Sequence, residues 1–114
     1  MTYYGRWTYK FEKAATLGAA GVLIVHETEP AGYPFDVVQS KTAEQFDLVT
    51  RDKNMGRAAI EGWITVDQGR RLMQMAGRDL DQLKDEAARR DFRPVPLGVT
   101  ASMTIRNTLR TIRS

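Results

Sequence analysis

The stretch WTYKFEKAATLGAAGVLIV, residues 7–25, limits the folds open to this chain more than any other. Phe11, Ala14, Ala15 and Gly18 recur at the spacing of a single helical face. Thr8 is placed to cap that helix, and Gly18 suits the left-handed conformation that ends one. The run GVLIV that follows is apolar without alternation, the pattern of a strand covered on both faces in a layer of strands and helices. A helix, a tight stop and a buried strand in immediate succession predict an α/β domain.

The same logic places the remaining elements. AIEGWI, residues 59–64, sets Ile60, Gly62 and Ile64 against Glu61 and Trp63, a strand with two distinct faces. TVDQ, residues 65–68, has the capping-box form, in which a threonine and a glutamine three residues on satisfy each other's backbone N–H groups. The helix it opens carries Gly69, Leu72, Met73 and Ala76 on one face and stops at Gly77; Met73 and Met75 read as one core residue and one half-exposed one. A further helix over 79–90 is capped by Asp79, turns Leu80, Leu83 and Ala87 inward, and grades from acids to Arg89 and Arg90, as the helix dipole favours. PVPLGVTASMTI, residues 94–105, alternates Val95, Leu97, Val99, Ala101, Met103 and Ile105 against small or polar residues and predicts a long strand.

Residues 30–58 are less regular. PAGYP is turn chemistry, FDVV and FDLV are short extended candidates, and TRDKNMG is a polar loop. A long connection of this kind inside a compact domain is a place to look for function. The aromatic cluster Tyr3, Tyr4, Trp7 and Tyr9 is more apolar surface than a free terminus should expose, so it packs back or meets a partner.

Composition removes several functions. A chain of 114 residues is one domain's worth. It has no cysteine, hence no disulfide, thiolate metal site or cysteine nucleophile. The net charge of +3 arises from 17 basic and 14 acidic residues, interspersed except in the basic end from Arg106 to Arg113, which is not the dense basic face that nucleic acid requires. No apolar run approaches a membrane span, and no secretory leader is visible.

His26 is the single histidine, and HETEP around it evokes a metal hydrolase. The zinc-hydrolase helix needs a second histidine at position 30, which is Pro30. On a strand, His26 and Glu27 face apart and cannot chelate together, and Pro30 favours an extended Glu29. LGAAG follows a helix rather than opening one, so it offers no phosphate cradle, and Ser40, Ser102 and Ser114 lack a nucleophile-elbow setting. No catalytic residue and no metal ligand is therefore assigned. A contact role for His26, Glu29, Tyr33 and Phe35, where the buried strand emerges, stands beside the plainer reading of a polar strand exit.

The aromatic opening, YKFEKAATLGAAGVLIVHE, the variable loop and AIEGWITVDQGRRLMQMAG together resemble the protease-associated (PA) domain. The wording YYGRWTYKFEKAATLGAAGVLIVHETEPAGYPF is similar to the version inserted in secreted bacterial zinc aminopeptidases of metallopeptidase family 28, and DFRPVPLGVTASMTIRNTLRTIRS to the segment that returns the chain to the peptidase body. The resemblance implies an open, barrel-like sheet of about four to five strands flanked by about three helices, over residues 1–105, with 106–114 leading toward a peptidase domain. It further implies a secreted or periplasmic parent enzyme with two zinc ions, none held by this segment, whose PA domain shapes substrate access. The expected partners are the peptidase domain of the same parent chain, its peptide substrate and, through open sheet edges, a second copy. The family carries a strand before YYGRW that this sequence lacks, and its catalytic half has no counterpart here. The rival reading is a free-standing protein- or peptide-interaction module.

Overall fold

The computed structural model describes residues 6–39, 49–53 and 55–113. It is a mixed α/β structure with four α-helices, a 3-10 turn and a two-stranded parallel sheet among those residues. The chain divides into two compact units, Met1–Arg71 and Leu72–Ser114.

In the first unit, helix α1 spans Trp7–Thr16. Its N-cap is Arg6, which supplies no side-chain hydrogen bond, and Thr8 lies inside the helix rather than capping it. The i,i+4 pair Trp7 and Phe11, with ring centroids 5.8 Å apart and edge-to-face, extends the helix back past the expected cap. The end is as the sequence requires. Gly18 sits at φ +85°, its N–H donates to the Ala15 carbonyl and the Ala19 N–H donates to the Ala14 carbonyl, each at 3.0 Å. This pair of bonds is the Schellman closure, and a side chain at Gly18 would strain it.

Strand β1, Gly21–His26, pairs in parallel with β2, Ile60–Thr65, in the register Gly21 with Ile60 through His26 with Thr65. The Ala59 N–H donates to the Ala20 carbonyl at 3.0 Å just ahead of the ladder. The backbone of β2 passes close to its neighbour at Gly62, where a Cβ would lie 3.3 Å from the Leu23 Cδ2. Cover on β1 is uneven: on one face His26 is buried and Val22 and Ile24 half-buried, and on the other Val25 is half-buried while Leu23 is 39% exposed among the described residues. The apolar run is therefore not fully buried on both faces among those residues.

Between the strands, Thr28–Ala31 forms one turn of helix, α2, closed by Gly32 at φ +80°. Glu29 is thus helical rather than extended. Pro30 is tolerated because the N–H it lacks belongs to the first turn, where it would have no intrahelical partner. FDVV is not extended either: Phe35–Val37 is a 3-10 turn, with the Val38 N–H donating to the Phe35 carbonyl at 3.0 Å. FDLV falls largely outside the described residues, as do Tyr3, Tyr4 and Ser40.

Helix α3, Val66–Met75, opens with the reciprocal capping box that the sequence predicts. The Gln68 N–H donates to the Thr65 hydroxyl at 3.2 Å, and the Thr65 N–H donates to the Gln68 Oε1 at 3.1 Å. Its end repeats the closure of α1. The Gly77 N–H donates to the Gln74 carbonyl and the Arg78 N–H to the Met73 carbonyl, with Gly77 at φ +72°.

In the second unit, α4 spans Leu80–Ala87, shorter than the predicted 79–90. The Asp79 carboxylate accepts from the Asp81 N–H at 2.9 Å and the Gln82 N–H at 3.3 Å, the expected N-cap. Leu80 is buried and Leu83 half-buried, but Ala87 is exposed, and Arg89 and Arg90 lie beyond the helix. The predicted strand 94–105 is not formed. Alternation only prepares a surface; a strand also needs a ladder partner, and none pairs with it among the described residues. Gly98, at φ +69°, also breaks the extended run. Val99, Met103, Ile105 and Ile112 are exposed, and Leu109 is 92% exposed.

Candidate functional site

The two strands end together, β1 at His26 and β2 at Thr65, and the chemistry of the first unit gathers at that end. His26 is the last residue of β1 and only 4% exposed. Strand alternation turns it to the same face as Ile24 and Val22, the face on which α1 packs.

The imidazole is enclosed by three rings. Tyr33 lies 5.2 Å away, tilted by 43°; Phe35 lies 5.7 Å away and Trp63 6.2 Å away, both edge-to-face. Trp63 in turn meets Trp7 at 6.1 Å and Phe11 at 6.4 Å. Six rings from α1, β1, β2 and the loop after β1 thus form one continuous cluster. Each such pair contributes about 0.5–1.5 kcal/mol beyond its buried area. The loop owes its path to α2, because the Gly32 left-handed turn folds Tyr33 back over the strand end.

Among the described residues the Nε2 of His26 is buried and has no hydrogen-bond partner. A buried nitrogen without a partner costs about 1–3 kcal/mol.

Beside the cluster lies an open cleft of about 660 Å³. Its walls include His26, Tyr33 and Trp63 together with the first turn of α1, Trp7 and Thr8, and the charged side chains Arg6, Lys10 and Glu27. Trp7 is 50% exposed, half in the cluster and half in solvent. Of the four contact residues expected from sequence, His26, Tyr33 and Phe35 come together. Glu29 does not: it lies exposed on α2 and does not line the cleft. Sequence reasoning missed Trp7, Arg6 and Lys10 as neighbours of His26. The signal was the aromatic pair at 7 and 11, which fixes the face that α1 turns to the sheet.

Glu27 follows His26 in extended backbone and caps α2, and both residues line the cleft rather than being kept apart by the strand. No group of three His, Cys, Asp or Glu side chains able to hold a metal ion occurs among the described residues. No helix among them is long and apolar enough to cross a membrane. The arrangement suits binding by shape, ring contact and charge. Comparison with protein-family models, with curated proteins and with solved structures finds no match to this chain.

Proposed function

We propose that this chain is a non-catalytic accessory module of the PA type, belonging to a secreted or periplasmic zinc aminopeptidase, and that it forms part of the wall along which peptide substrate reaches the active site. The observation that supports the reading is the concave aromatic site at the carboxyl ends of the two parallel strands, which holds His26, Tyr33 and Trp63 beside charged side chains. Open α/β sheets bind ligands at that end.

Two further features support an accessory role. Large apolar residues are exposed in both units, among them Leu17, Val37, Met75 and Leu109, more than an isolated domain usually leaves in water. Each described strand also has only one ladder partner, so the sheet has open edges that further strands can fill. The finer architecture proposed is the open, barrel-like sheet of about four to five strands, built outward from the described parallel pair. In this reading both zinc ions and all hydrolytic groups reside in the peptidase domain.

Alanine replacement of His26 and Tyr33 in the intact enzyme is expected to raise KM or shift the preferred peptide length while leaving the chemical step in place. Glu29→Ala, on the exposed side of α2, is expected to have the smaller effect. Unchanged kinetics in the His26 and Tyr33 variants would remove the proposal. The gene downstream of Ser114 provides a second test, since the reading requires clustered His, Asp and Glu ligands there. Their absence would favour the free-standing peptide-binding module, which the cleft alone also fits.

A further inference from the structure

The cleft is lined in part by the N-terminus of α1, a ten-residue helix whose first turn has no acidic side chain and whose cap residue makes no side-chain hydrogen bond. Its first N–H groups carry the positive end of the helix dipole, uncomplemented by its own side chains. Arg6 and Lys10 also line the cleft, and neither forms an ion pair among the described residues. Glu27, the acid of the cleft, is already engaged. His26 is a further lining residue, 96% withdrawn from solvent, its Nε2 lacking a hydrogen bond among the described residues. Tyr33 lines the cleft with His26, its ring 5.2 Å from the imidazole and tilted by 43°.

These features call for an occupant with an anionic end, an apolar body and a hydrogen-bonding group. We infer that the cleft receives the C-terminal end of a short peptide: its carboxylate against Arg6, Lys10 and the α1 N-terminus, its last side chain among Trp7, Trp63 and Tyr33, and a polar backbone group on the His26 Nε2. The charge pattern matches a free carboxylate better than an internal peptide segment, which carries no obligatory anion. This deepens the accessory-module reading by naming which end of the substrate is held. An aminopeptidase acts at the N-terminus, so a grip on the far end makes the module a gauge of peptide length.

The chain contains two tryptophans, Trp7 and Trp63, and both line the cleft. Intrinsic fluorescence of the full chain therefore reports on occupancy. The probe is the tripeptide Gly-Gly-Phe, titrated beside its C-terminal amide. The acid should change the fluorescence saturably, and the amide should bind about tenfold or more weakly, the loss expected for one charge-assisted contact. Arg6→Ala and Lys10→Ala, at exposed positions, should each bring the acid toward the affinity of the amide while leaving the circular dichroism spectrum unchanged. His26→Phe, which keeps a ring and removes the nitrogen, should weaken both peptides alike.

Equal titration by acid and amide, or wild-type affinity in both Arg6 and Lys10 variants, overturns the carboxylate assignment. Wild-type affinity in His26→Phe overturns the contact assigned to the imidazole. The two readings fail separately. Carboxylate-dependent binding by the chain with unaltered kinetics of the enzyme variants sinks only the peptidase context. Altered kinetics with indifference to the carboxylate sinks only the gauge.

Discussion

Replacing His26 with phenylalanine should stabilise the first unit. The ring is buried among Tyr33, Phe35 and Trp63, and all three contacts are with ring systems that a phenyl group can also meet edge-on. The Nε2 has no partner among the described residues, so the native residue carries a desolvation penalty of about 1–3 kcal/mol that phenylalanine removes. Against this stands the extra volume of a six-membered ring, for which overpacking costs about 1 kcal/mol at the low end of its range. The net expectation is a gain of about 1 kcal/mol, up to about 2 kcal/mol if Tyr33 yields toward the cleft. Urea unfolding followed by tryptophan fluorescence is the suitable assay, because both tryptophans lie in the unit Met1–Arg71. With a urea m-value of about 1–1.5 kcal/mol/M, the midpoint should rise by on the order of 1 M at unchanged slope. A lowered midpoint with the same slope would refute the reasoning, since it would mean that the imidazole nitrogen contributes a net favourable interaction. Because the same variant is expected to bind peptide less tightly, stability and affinity should move in opposite directions, the mark of a residue kept for function.

Two other outcomes follow from features of the fold. Thr65→Ala and Gln68→Ala should each lower stability by about 1 kcal/mol, and the double variant by less than the sum, because each side chain serves the other's backbone N–H; a double-mutant cycle in urea with strict additivity would contradict reciprocity. The open edges of β1 and β2, with the exposed apolar residues of 99–112, should make the chain self-associate by edge pairing or exchange of its C-terminal segment. Light scattering should show mass rising with concentration, and a constant monomer mass would rule this out.

What could be read in the sequence was what local chemistry decides. The Gly18 and Gly77 stops, the Thr65–Gln68 box and the Asp79 cap are settled within a few residues, and each stands where the pattern places it. The parallel partnership of GVLIV with IEGWIT was implied by the class but not by either segment alone. Reading failed where a residue's state depends on something distant. VPLGVTASMTI has the alternation of a strand and finds no ladder partner among the described residues. Leu23 has the apolarity of a strand buried on both faces and is 39% exposed among the described residues. At the site, His26, Tyr33 and Phe35 were legible because a short loop holds them together. Arg6 and Lys10 were not, since only the packing of α1 on the sheet brings the start of that helix to the end of β1.

The parallel ladder has a kinetic corollary. Every rung joins residues 39 positions apart, from Gly21 with Ile60 to His26 with Thr65, so no rung can form as a local event. The first pairing must close the whole intervening loop, and the others then zip at little further entropic expense. Assembly of the sheet is accordingly all-or-none. During synthesis α1 can coil as it emerges, yet His26 waits without its aromatic enclosure until residue 65 has left the ribosome. Since doubling a loop raises its closure entropy by only about 0.6 kcal/mol, the span between the strands is free to lengthen without disturbing the enclosure it delivers.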